Sequence, residues 1–253
     1  MPKIIFLGTA CSIPTKERDN TSFLFLYKKE IFLVDCPGSI VQKLMKVRID
    51  YKKLKNVIIT HQHPDHIYGI VSLIHTQAHL NDFLHIFTNF ECIKIIKKLV
   101  KIFSLNKKPY PRINYYNVFK TNPFYSKNRL KLEAIKNKHI KNSFGIKFTF
   151  GKKSLFYSSD TSFYPKMLKK VKEIDFLIHD CTATSTYFKK HPQLYKMHTC
   201  AKDLKDYSEY KNIKLIPIHF LLLEKEEEKR IKKELKDLKK VIFVKDFQKI
   251  SLQ

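Results

Sequence analysis

Short apolar runs bounded by polar turns recur along the chain, and they alternate with stretches in which apolar residues are spaced three or four apart. The first pattern is typical of buried strands and the second of amphipathic helices. Strands are predicted at residues 3–7, 21–26, 31–34, 56–60, 83–88, 130–135, 155–158, 176–179, 213–218 and 241–244. Helices are predicted at residues 40–47, 67–74, 92–103 and 226–240. This alternation indicates an α/β fold.

The polar segment that leaves the predicted strand at residues 56–60 is dense in metal-binding side chains. Its sequence over residues 60–66 is THQHPDH. Side chains two apart in an extended segment share a side, so His61 and His63 can bind one ion. Pro64 stiffens a turn that directs the next Asp and His elsewhere. With 11 histidines in 253 residues, three within six positions are not expected of an incidental polar loop. The segment therefore predicts half of a two-metal site.

The pattern His-x-His-x-Asp-His after an apolar strand resembles the metal-binding signature of the metallo-β-lactamase superfamily. In that family a third His, a bridging Asp and a last His follow in this order. The resemblance implies the ligands His61, His63, Asp65, His66, His139, Asp160 and His219. It also implies a four-layer αββα sandwich over residues 1–253 as a single domain, with two divalent ions, zinc or manganese, between the sheets. The metal identity stays open because mixed His and carboxylate sites accept several ions.

Three later segments carry the remaining ligands that the resemblance implies. His139 comes shortly before a Ser-Phe-Gly turn, like the family's third motif, and would complete a three-His site with one position open for water. Asp160 stands in Ser-Ser-Asp-Thr, which is similar to the family's Gly-Asp-Thr. It would bridge two ions about 3.5 to 4 Å apart. His219 would join Asp65 and His66 on the second ion.

Two further residues match positions that phosphodiesterases of this superfamily use for proton transfer. Asp180 lies where ribonuclease Z shows His-Glu-Ala-Thr, so the carboxylate is kept but shortened by one methylene. His198, followed by Thr199, resembles the His-Ser/Thr motif that supplies the proton donor. The resemblance implies that His198 protonates the leaving alkoxide, that Asp180 orients His198, and that Asp65 orients the attacking hydroxide. Asp35, at the end of an earlier strand, either hydrogen-bonds the metal loop or is an ordinary turn residue.

Residues 6–22 are closely similar to the opening of ribonuclease Z, the tRNA 3′-processing member of the superfamily. Two departures separate the chain from that enzyme. Only the 20 residues 140–159 lie between His139 and Asp160, where ribonuclease Z carries a long arm that grips tRNA. After His219 the chain continues FLLLE in place of the usual Phe-Ser-x-Arg-Tyr. The missing arm shifts the prediction away from tRNA.

The segments around Asp180 and His198 also resemble the small, arm-free phosphodiesterase of the phosphonate-degradation pathway, although that family's cysteine-rich zinc site is not present. We therefore favour a two-metal phosphodiesterase in which a metal-bridging hydroxide attacks small or cyclic phosphodiesters of nucleotides or sugars. A tRNA 3′-processing endoribonuclease without the arm is the alternative. A lactone or thioester hydrolase of the same fold is less favoured because it does not need His198 and Asp180. A catalytically silent nucleic-acid-binding relative is disfavoured because every ligand is present.

The composition leaves the nature of the partner open. The chain has 43% hydrophobic residues, with 20 Phe and 13 Tyr, as expected of a globular protein. Its formal net charge of +26 suits a polyanionic partner such as tRNA, yet lysine supplies most of that charge, and a lysine-rich surface is the plainer interpretation. Residues 106–131 interleave basic and aromatic side chains, which fits either nucleotide contact or a half-buried strand pair.

The five cysteines are scattered and form no Cys-x-x-Cys pair, which indicates reduced thiols and a cytoplasmic location. The first apolar segment is followed by Cys11 but is too short for a lipoprotein signal. No apolar run approaches the ~20 residues of a membrane span, so no membrane partner is expected. The expected partners are a phosphodiester substrate and, at most, a second copy of the chain in a homodimer.

Overall fold

The computed structural model describes residues 1–80, 83–171, 173–206, 212–224 and 226–253. Two β-sheets lie face to face, and helices cover the outer face of each sheet. The four-layer αββα arrangement predicted from the sequence is confirmed.

The strands and helices are short and follow one another closely along the chain. The strands are β1 (Lys3–Gly8), β2 (Ser22–Tyr27), β3 (Glu30–Val34), β4 (Asn56–Ile59), β5 (Phe83–Thr88), β6 (Arg112–Asn117), β7 (Tyr125–Lys127), β8 (Leu130–Lys136), β9 (Phe144–Phe150), β10 (Lys153–Tyr157), β11 (Phe176–Asp180), β12 (Lys214–Ile218) and β13 (Lys249–Ser251). The helices are α1 (Ile40–Lys46), α2 (Pro64–Ile67), α3 (Gly69–Thr76), α4 (Phe90–Ile102), α5 (Pro165–Lys170), α6 (Ser185–Lys190), α7 (Ala201–Asp206) and α8 (Glu227–Glu234).

Each sheet is mixed, with an antiparallel part and a parallel part. The first sheet has the order β13-β1-β2-β3-β4-β5-β6, and its strands run parallel from β3 to β6. The second has the order β12-β11-β10-β9-β8-β7, and its strands run parallel from β10 to β12. The central parallel strands are rich in buried apolar residues because helices cover one face and the other sheet covers the opposite face.

Aromatic side chains fill the space between the two sheets. Phe23 and Phe25 on β2 point inward, and Phe148 on β9 faces them. The ring centroids of Phe25 and Phe148 are 4.5 Å apart, and the ring of Tyr157 meets Phe23 edge to face at 5.0 Å. Removing each such side chain from water contributes roughly 1.5–3 kcal/mol. This packing fixes the separation of the sheets, and with it the separation of the residues that each sheet supplies to the site.

The outer helices pack on the sheets through apolar side chains spaced three or four residues apart. Leu73 of α3 and Ile96 of α4 are buried against the first sheet together with side chains of α1. Met167 of α5 and Ile231 of α8 are buried against the second sheet together with side chains of α7. Within the described ranges, no helix combines the length and the apolar character needed to cross a bilayer.

The predicted strand at residues 241–244 was wrong. In this segment the paired backbone is limited to an isolated bridge between Val241 and Leu215. The carbonyl of Val244 accepts a hydrogen bond of 2.8 Å from the guanidinium of Arg18, so a side chain replaces a neighbouring strand as its partner. The first sheet instead ends with β13, which pairs with β1.

Other elements differ from the prediction in extent. The helix predicted at residues 67–74 begins earlier and is divided into α2 and α3, and the helix predicted at residues 226–240 ends at Glu234. Residues 106–131 contain β6 and β7, which belong to different sheets and so do not form a strand pair. The strand β9 was not predicted.

The carboxyl ends of β4, β8, β10, β11 and β12 meet at one edge of the two sheets. The loops that follow these strands carry polar residues, whereas the strands themselves are buried. This edge is where open α/β sheets place their ligands.

Candidate metal centre

The loop after β4 supplies four of the predicted ligands from one short segment. His61 and His63 follow the end of the strand, and His63, in extended backbone, occupies the N-cap position of α2. Pro64 is the first residue of that helix, which turns Asp65 and His66 away from the strand direction. The change from extended to helical backbone therefore divides the segment between two positions, as the sequence predicted.

A first group of ligand atoms converges from both sheets. His61 Nε2 lies 3.2 Å from His63 Nδ1, and His139 Nε2, from the loop after β8, lies 2.9 Å from the same His63 atom. Asp160 Oδ2, after β10, lies 3.7 Å from His61 Nε2 and 3.8 Å from His139 Nε2. Ligand atoms of these four residues all lie within 4.8 Å of one another. Three imidazoles and one carboxylate thus face a single point.

A second group shares the same carboxylate. Asp160 Oδ2 lies 3.3 Å from His66 Nε2 and 3.0 Å from His219 Nε2. Asp65 Oδ2 lies 3.4 Å from His66 Nε2 and 4.0 Å from His219 Nε2. All seven predicted ligands are therefore brought together, with Asp160 common to both groups.

Buried polar atoms without hydrogen bonds test whether these residues fit divalent cations. Among the described residues, Asp160 Oδ1, His66 Nε2 and His219 Nε2 are buried and form no well-directed hydrogen bond. Leaving such atoms unpaired costs roughly 1–3 kcal/mol each. Nitrogen and carboxylate ligands converging in two groups are the donor set that zinc and related divalent ions take. The residues fit divalent cations.

Charge is distributed unequally between the two groups. Burial lowers the pKa of His61 well below its ordinary value and lowers the pKa of His139 to about 4, although Asp160 opposes the shift. Burial would also lower the pKa of His219, but the Asp160 carboxylate outweighs it and raises that pKa to about 9. Burial likewise disfavours ionised Asp160, yet His219 and His66 hold its pKa well below the usual range. In the second group, protons thus occupy positions that a cation can take.

Hydrogen bonds on the outer ring nitrogens orient the ligands. His139 Nδ1 lies 2.9 Å from the carbonyl oxygen of Met197, and His61 Nδ1 lies 3.1 Å from Thr60 Oγ1. Because Nδ1 is engaged in each case, Nε2 is the nitrogen directed at the ligand group. Such contacts fix the tautomer as well as the ring orientation.

Asp35 contacts the loop after β4, which carries His61, His63, Asp65 and His66. This agrees with the first of its two predicted roles, a hydrogen bond to that loop. Its carboxylate accepts hydrogen bonds from the amide and the hydroxyl of Thr60, each at 2.9 Å. Its Oδ2 atom also lies 3.0 Å from His66 Nδ1. Asp35 is fully buried, and its backbone adopts a left-handed φ of 58°. The residue therefore supports both the loop and one ligand.

Asp180 and His198 form a pair beside both ligand groups. His198 Nδ1 lies 2.9 Å from Asp180 Oδ2, and the same carboxylate accepts hydrogen bonds from the amide of Thr161 and the hydroxyl of Thr182. The His198 ring stacks on His219 at a centroid distance of 5.1 Å and an angle of 18°. Burial would raise the pKa of Asp180, but the neighbouring His198 outweighs burial and is the main cause of a lowered pKa for that carboxyl. The pair is thus an ionised carboxylate holding one nitrogen of an imidazole.

Several supporting residues were not found from the sequence. Thr182 lies 3.3 Å from His219 Nδ1, and the carbonyl of Thr9 accepts hydrogen bonds from the amides of His219 and Phe220. These contacts hold His219 in a left-handed conformation with φ of 66°. Thr9 lies within residues 6–22, which resemble ribonuclease Z, and that resemblance was the available sequence signal for its supporting role.

Three further histidines lie away from the ligand groups. His75 contacts the ring of Tyr110, and His85 lies 3.3 Å from the hydroxyl of Tyr116. None of the metal-capable clusters found in the described ranges includes His75, His79 or His85.

Curated relatives share local sequence with this chain. A ribonuclease Z from Methanococcus aeolicus is 42% identical over 72 residues, which is 28% of this chain and 22% of the relative. A ribonuclease Z from Methanococcus maripaludis is 33% identical over 118 residues, which is 46% of this chain and 37% of the relative. The chain thus matches well under half the length of these curated relatives.

Solved structures align along the whole chain. The short form of human tRNase Z matches with a TM-score of 0.78 and 19% identity over 99% of both chains. The metallo-β-lactamase fold protein YhfI from Bacillus subtilis matches with a TM-score of 0.81 and 19% identity over 99% of this chain and 100% of that one. A diphosphatase from the PhnP family matches with a TM-score of 0.75 and 16% identity over 100% and 98%. The fold and the site therefore define a metallo-β-lactamase-fold protein with a candidate metal centre.

Within that class, the family model described as Anti-Pycsar protein Apyc1 matches residues 2–241. The chain belongs to the Anti-Pycsar protein Apyc1 family. The resemblance predicted from the His and Asp motifs is confirmed, because both the ribonuclease Z and the PhnP branches are among its structural neighbours.

Proposed function

We propose that the protein is a two-metal phosphodiesterase that hydrolyses small or cyclic phosphodiesters of nucleotides or sugars. The observation that carries this proposal is the Asp180–His198 pair, at 2.9 Å, beside two ligand groups that share Asp160. A metal centre alone suits many hydrolytic reactions on this fold. An imidazole held next to the two ligand groups would add a proton donor for a poor leaving group, such as the alkoxide that leaves from a nucleotide or sugar phosphodiester.

The ligands divide between two ions in this proposal. His61, His63, His139 and Asp160 would hold the first ion, and Asp65, His66, Asp160 and His219 would hold the second. Zinc and manganese both suit this mixture of imidazole and carboxylate. When bound, the ions would supply the positive charge that activates water and offsets the charge developing on the phosphoryl oxygens.

The chain's own residues would orient the reaction and move the proton. Asp180 engages His198 Nδ1, which leaves His198 Nε2 to donate its proton to the departing oxygen. Asp180 is held in turn by Thr161 and Thr182, so the imidazole cannot easily rotate away. Asp65, whose Oδ2 atom lies 3.4 Å from His66 Nε2 in the second group, would accept a hydrogen bond from the attacking water.

The segment between His139 and Asp160 favours a small substrate. Residues 140–143 form a turn, and β9 and β10 then form a hairpin within the second sheet. The whole interval is described, and it leaves no length for an arm that could hold a macromolecule. Relatives also include proteins named for a diphosphatase activity and for opposing Pycsar.

A tRNA 3′-processing endoribonuclease without the arm is the second candidate. It is favoured by the 42% identity to a ribonuclease Z over 72 residues and by the net charge of +26. A lactone or thioester hydrolase is less favoured because the Asp180–His198 pair would have no role. A cytoplasmic location and a homodimer remain predictions.

Three substrates separate these candidates. The protein loaded with zinc or manganese is incubated with bis-p-nitrophenyl phosphate, a 2′,3′-cyclic nucleotide and a precursor tRNA. Hydrolysis of the first two with an intact precursor tRNA is the expected result. Cleavage of the precursor at its 3′ end would support the second candidate, and failure to hydrolyse any of the three would refute both.

A further inference from the structure

The two halves of the candidate metal centre come from different sheets. The loop that carries His61 and His66 follows β4 of the first sheet, whereas Asp160 follows β10 of the second. Convergence of the ligands therefore depends on how the sheets are aligned at this edge. Apolar packing sets their separation, and directional hydrogen bonds between the sheets can add to the alignment.

Two buried hydrogen bonds cross between the sheets directly behind the ligands. The hydroxyl of Tyr157, at the end of β10, donates to Asp35 Oδ2 at 3.0 Å. The hydroxyl of Ser159 donates to Thr60 Oγ1 at 2.8 Å. All four side chains are at most 1% exposed. Burial and the Asp35 carboxylate raise the pKa of Tyr157 well above its ordinary value, so its hydroxyl keeps the proton that it donates.

Asp35 connects Tyr157 to a ligand. Its Oδ2 atom contacts the Tyr157 hydroxyl and also lies 3.0 Å from His66 Nδ1. Tyr157 is three residues before Asp160 on the same chain segment. The strand that delivers the shared carboxylate thus also fixes the carboxylate that holds His66.

We propose that Tyr157 is a positioning residue that sets the His66 imidazole against Asp160 before any ion binds. This inference rests on the proposed two-metal site, and it concerns the ligand group of Asp65, His66, Asp160 and His219. Without the hydroxyl, Asp35 keeps only donors from its own sheet. Its remaining hydrogen-bonded link to the opposite sheet is then the indirect one through Thr60 and Ser159. The first group is less dependent on Tyr157, because His61 is held through Thr60, which retains its own bond to Ser159.

Replacing Tyr157 by Phe isolates this role from packing. The variant keeps the ring that meets Phe23 and removes only the hydroxyl. Ser154→Ala is the matched control, since Ser154 lies at the other end of β10 and its buried hydroxyl donates to the carbonyl of Glu173 at 2.6 Å. Both variants lose one buried hydrogen bond. Only the bond lost in Tyr157→Phe goes to Asp35, the residue that contacts His66.

Titration calorimetry of the metal-free proteins with Zn²⁺, and separately with Mn²⁺, measures the effect without any substrate. We expect Tyr157→Phe to weaken one of two binding events by roughly 10- to 100-fold and to leave the other within about twofold, as for residues that orient metal ligands. Ser154→Ala should bind both ions as the wild type does. Wild-type affinities in Tyr157→Phe, or an equal loss in Ser154→Ala, would overturn the proposal.

Ser159→Ala provides a second test should Tyr157→Phe not fold. It removes the other bond between the sheets, and Thr60 touches both Asp35 and His61, so we expect weaker binding of both ions. Unchanged binding of both ions in Ser159→Ala would show that the hydrogen bond between Ser159 and Thr60 does not position the ligands. Selective loss of binding in Tyr157→Phe, together with no turnover of any phosphodiester by the wild type, would refute the proposed activity and leave the positioning role standing. A wild type that binds no divalent ion would refute both.

Discussion

In the proposed reaction, the Asp180–His198 pair donates a proton to the leaving group, so its importance depends on the substrate. The hydrogen bond of 2.9 Å between His198 Nδ1 and Asp180 Oδ2 orients an imidazole ring that stacks on His219. Protonating a leaving group matters in proportion to the basicity of that group. The pair is therefore expected to matter far more for an alkoxide than for a p-nitrophenolate.

His198→Ala should reveal that difference. Turnover of a 2′,3′-cyclic nucleotide should fall by about 10²- to 10⁴-fold, with a smaller loss on bis-p-nitrophenyl phosphate, whose leaving group departs without a proton. Steady-state kinetics on both substrates gives the comparison. His191→Ala is the control, since that ring contacts Tyr187 and lies outside the ligand groups. Equal losses on both substrates would contradict the assignment of His198 as proton donor.

Sequence and structure differ in what they reveal at this scale. The convergence of His61, His63, Asp65 and His66 could be predicted, because their spacing where the chain leaves a strand has a local geometric meaning. The Tyr157 to Asp35 bond could not, because its partners are 122 positions apart and neither residue type is unusual at a strand end. Long-range pairing of ordinary polar residues leaves no local pattern in the sequence.

At the scale of elements, α3 is anchored to the loop after β3 by a close backbone approach. The amide of Gly69 donates to the carbonyl of Cys36 at 2.8 Å, and the amide of Cys36 donates to the carbonyl of His66 at 2.8 Å. A Cβ atom on Gly69 would lie 2.0 Å from the carbonyl oxygen of Pro37. Only glycine permits this contact, which sets the position of α2 and its ligands.

Gly69→Ala should therefore destabilise the protein and disturb the metal loop. We expect the free energy of unfolding to fall by roughly 1–3 kcal/mol, the usual cost of overpacking, as measured by urea denaturation of the metal-free protein. Gly38→Ala is the matched control, because a Cβ atom there has no neighbour within 4 Å. A Gly69→Ala variant as stable as Gly38→Ala would show that the loop can move away without cost.

Element prediction failed where a local signal competed with the tertiary structure. Phe144–Phe150 alternates buried and partly exposed residues along its second half, yet Gly145 near its start is typical of a turn. In the structure Gly145 is required because a Cβ atom would lie 2.5 Å from the carbonyl of Tyr157. The apolar residues 241–244 led to the opposite error. They were predicted as a strand, but their pairing is limited to the bridge between Val241 and Leu215, and Arg18 binds the carbonyl of Val244.

At the scale of the whole molecule, the ligand groups join the two sheets. His61 and His66 come from the first sheet, and His139, Asp160 and His219 come from loops of the second. Ions bound to both sets would oppose separation of the sheets. The folded state alone presents the assembled site, so binding stabilises it by mass action.

Removal of divalent ions should thus lower the melting temperature. Ions at 100 times their dissociation constant stabilise the folded state by about 2.7 kcal/mol. For a chain of this size that free energy corresponds to a loss of roughly 5–10 °C on adding a chelator, measured by thermal unfolding. Asp160→Asn should melt at the same temperature with and without chelator. An Asp160→Asn variant that responds to chelator like the wild type would place the stabilising ions elsewhere.

The short turn at residues 140–143 has a consequence for how the substrate range can change among proteins of this fold. It follows the ligand His139 directly, and Lys141 on it is exposed. Closing a longer loop costs little, about 0.6 kcal/mol for each doubling of its length. A lineage can therefore gain or lose a long insertion here while its buried ligands stay in register. Substrate range can then diverge by insertion and deletion faster than the metal-binding residues diverge by substitution.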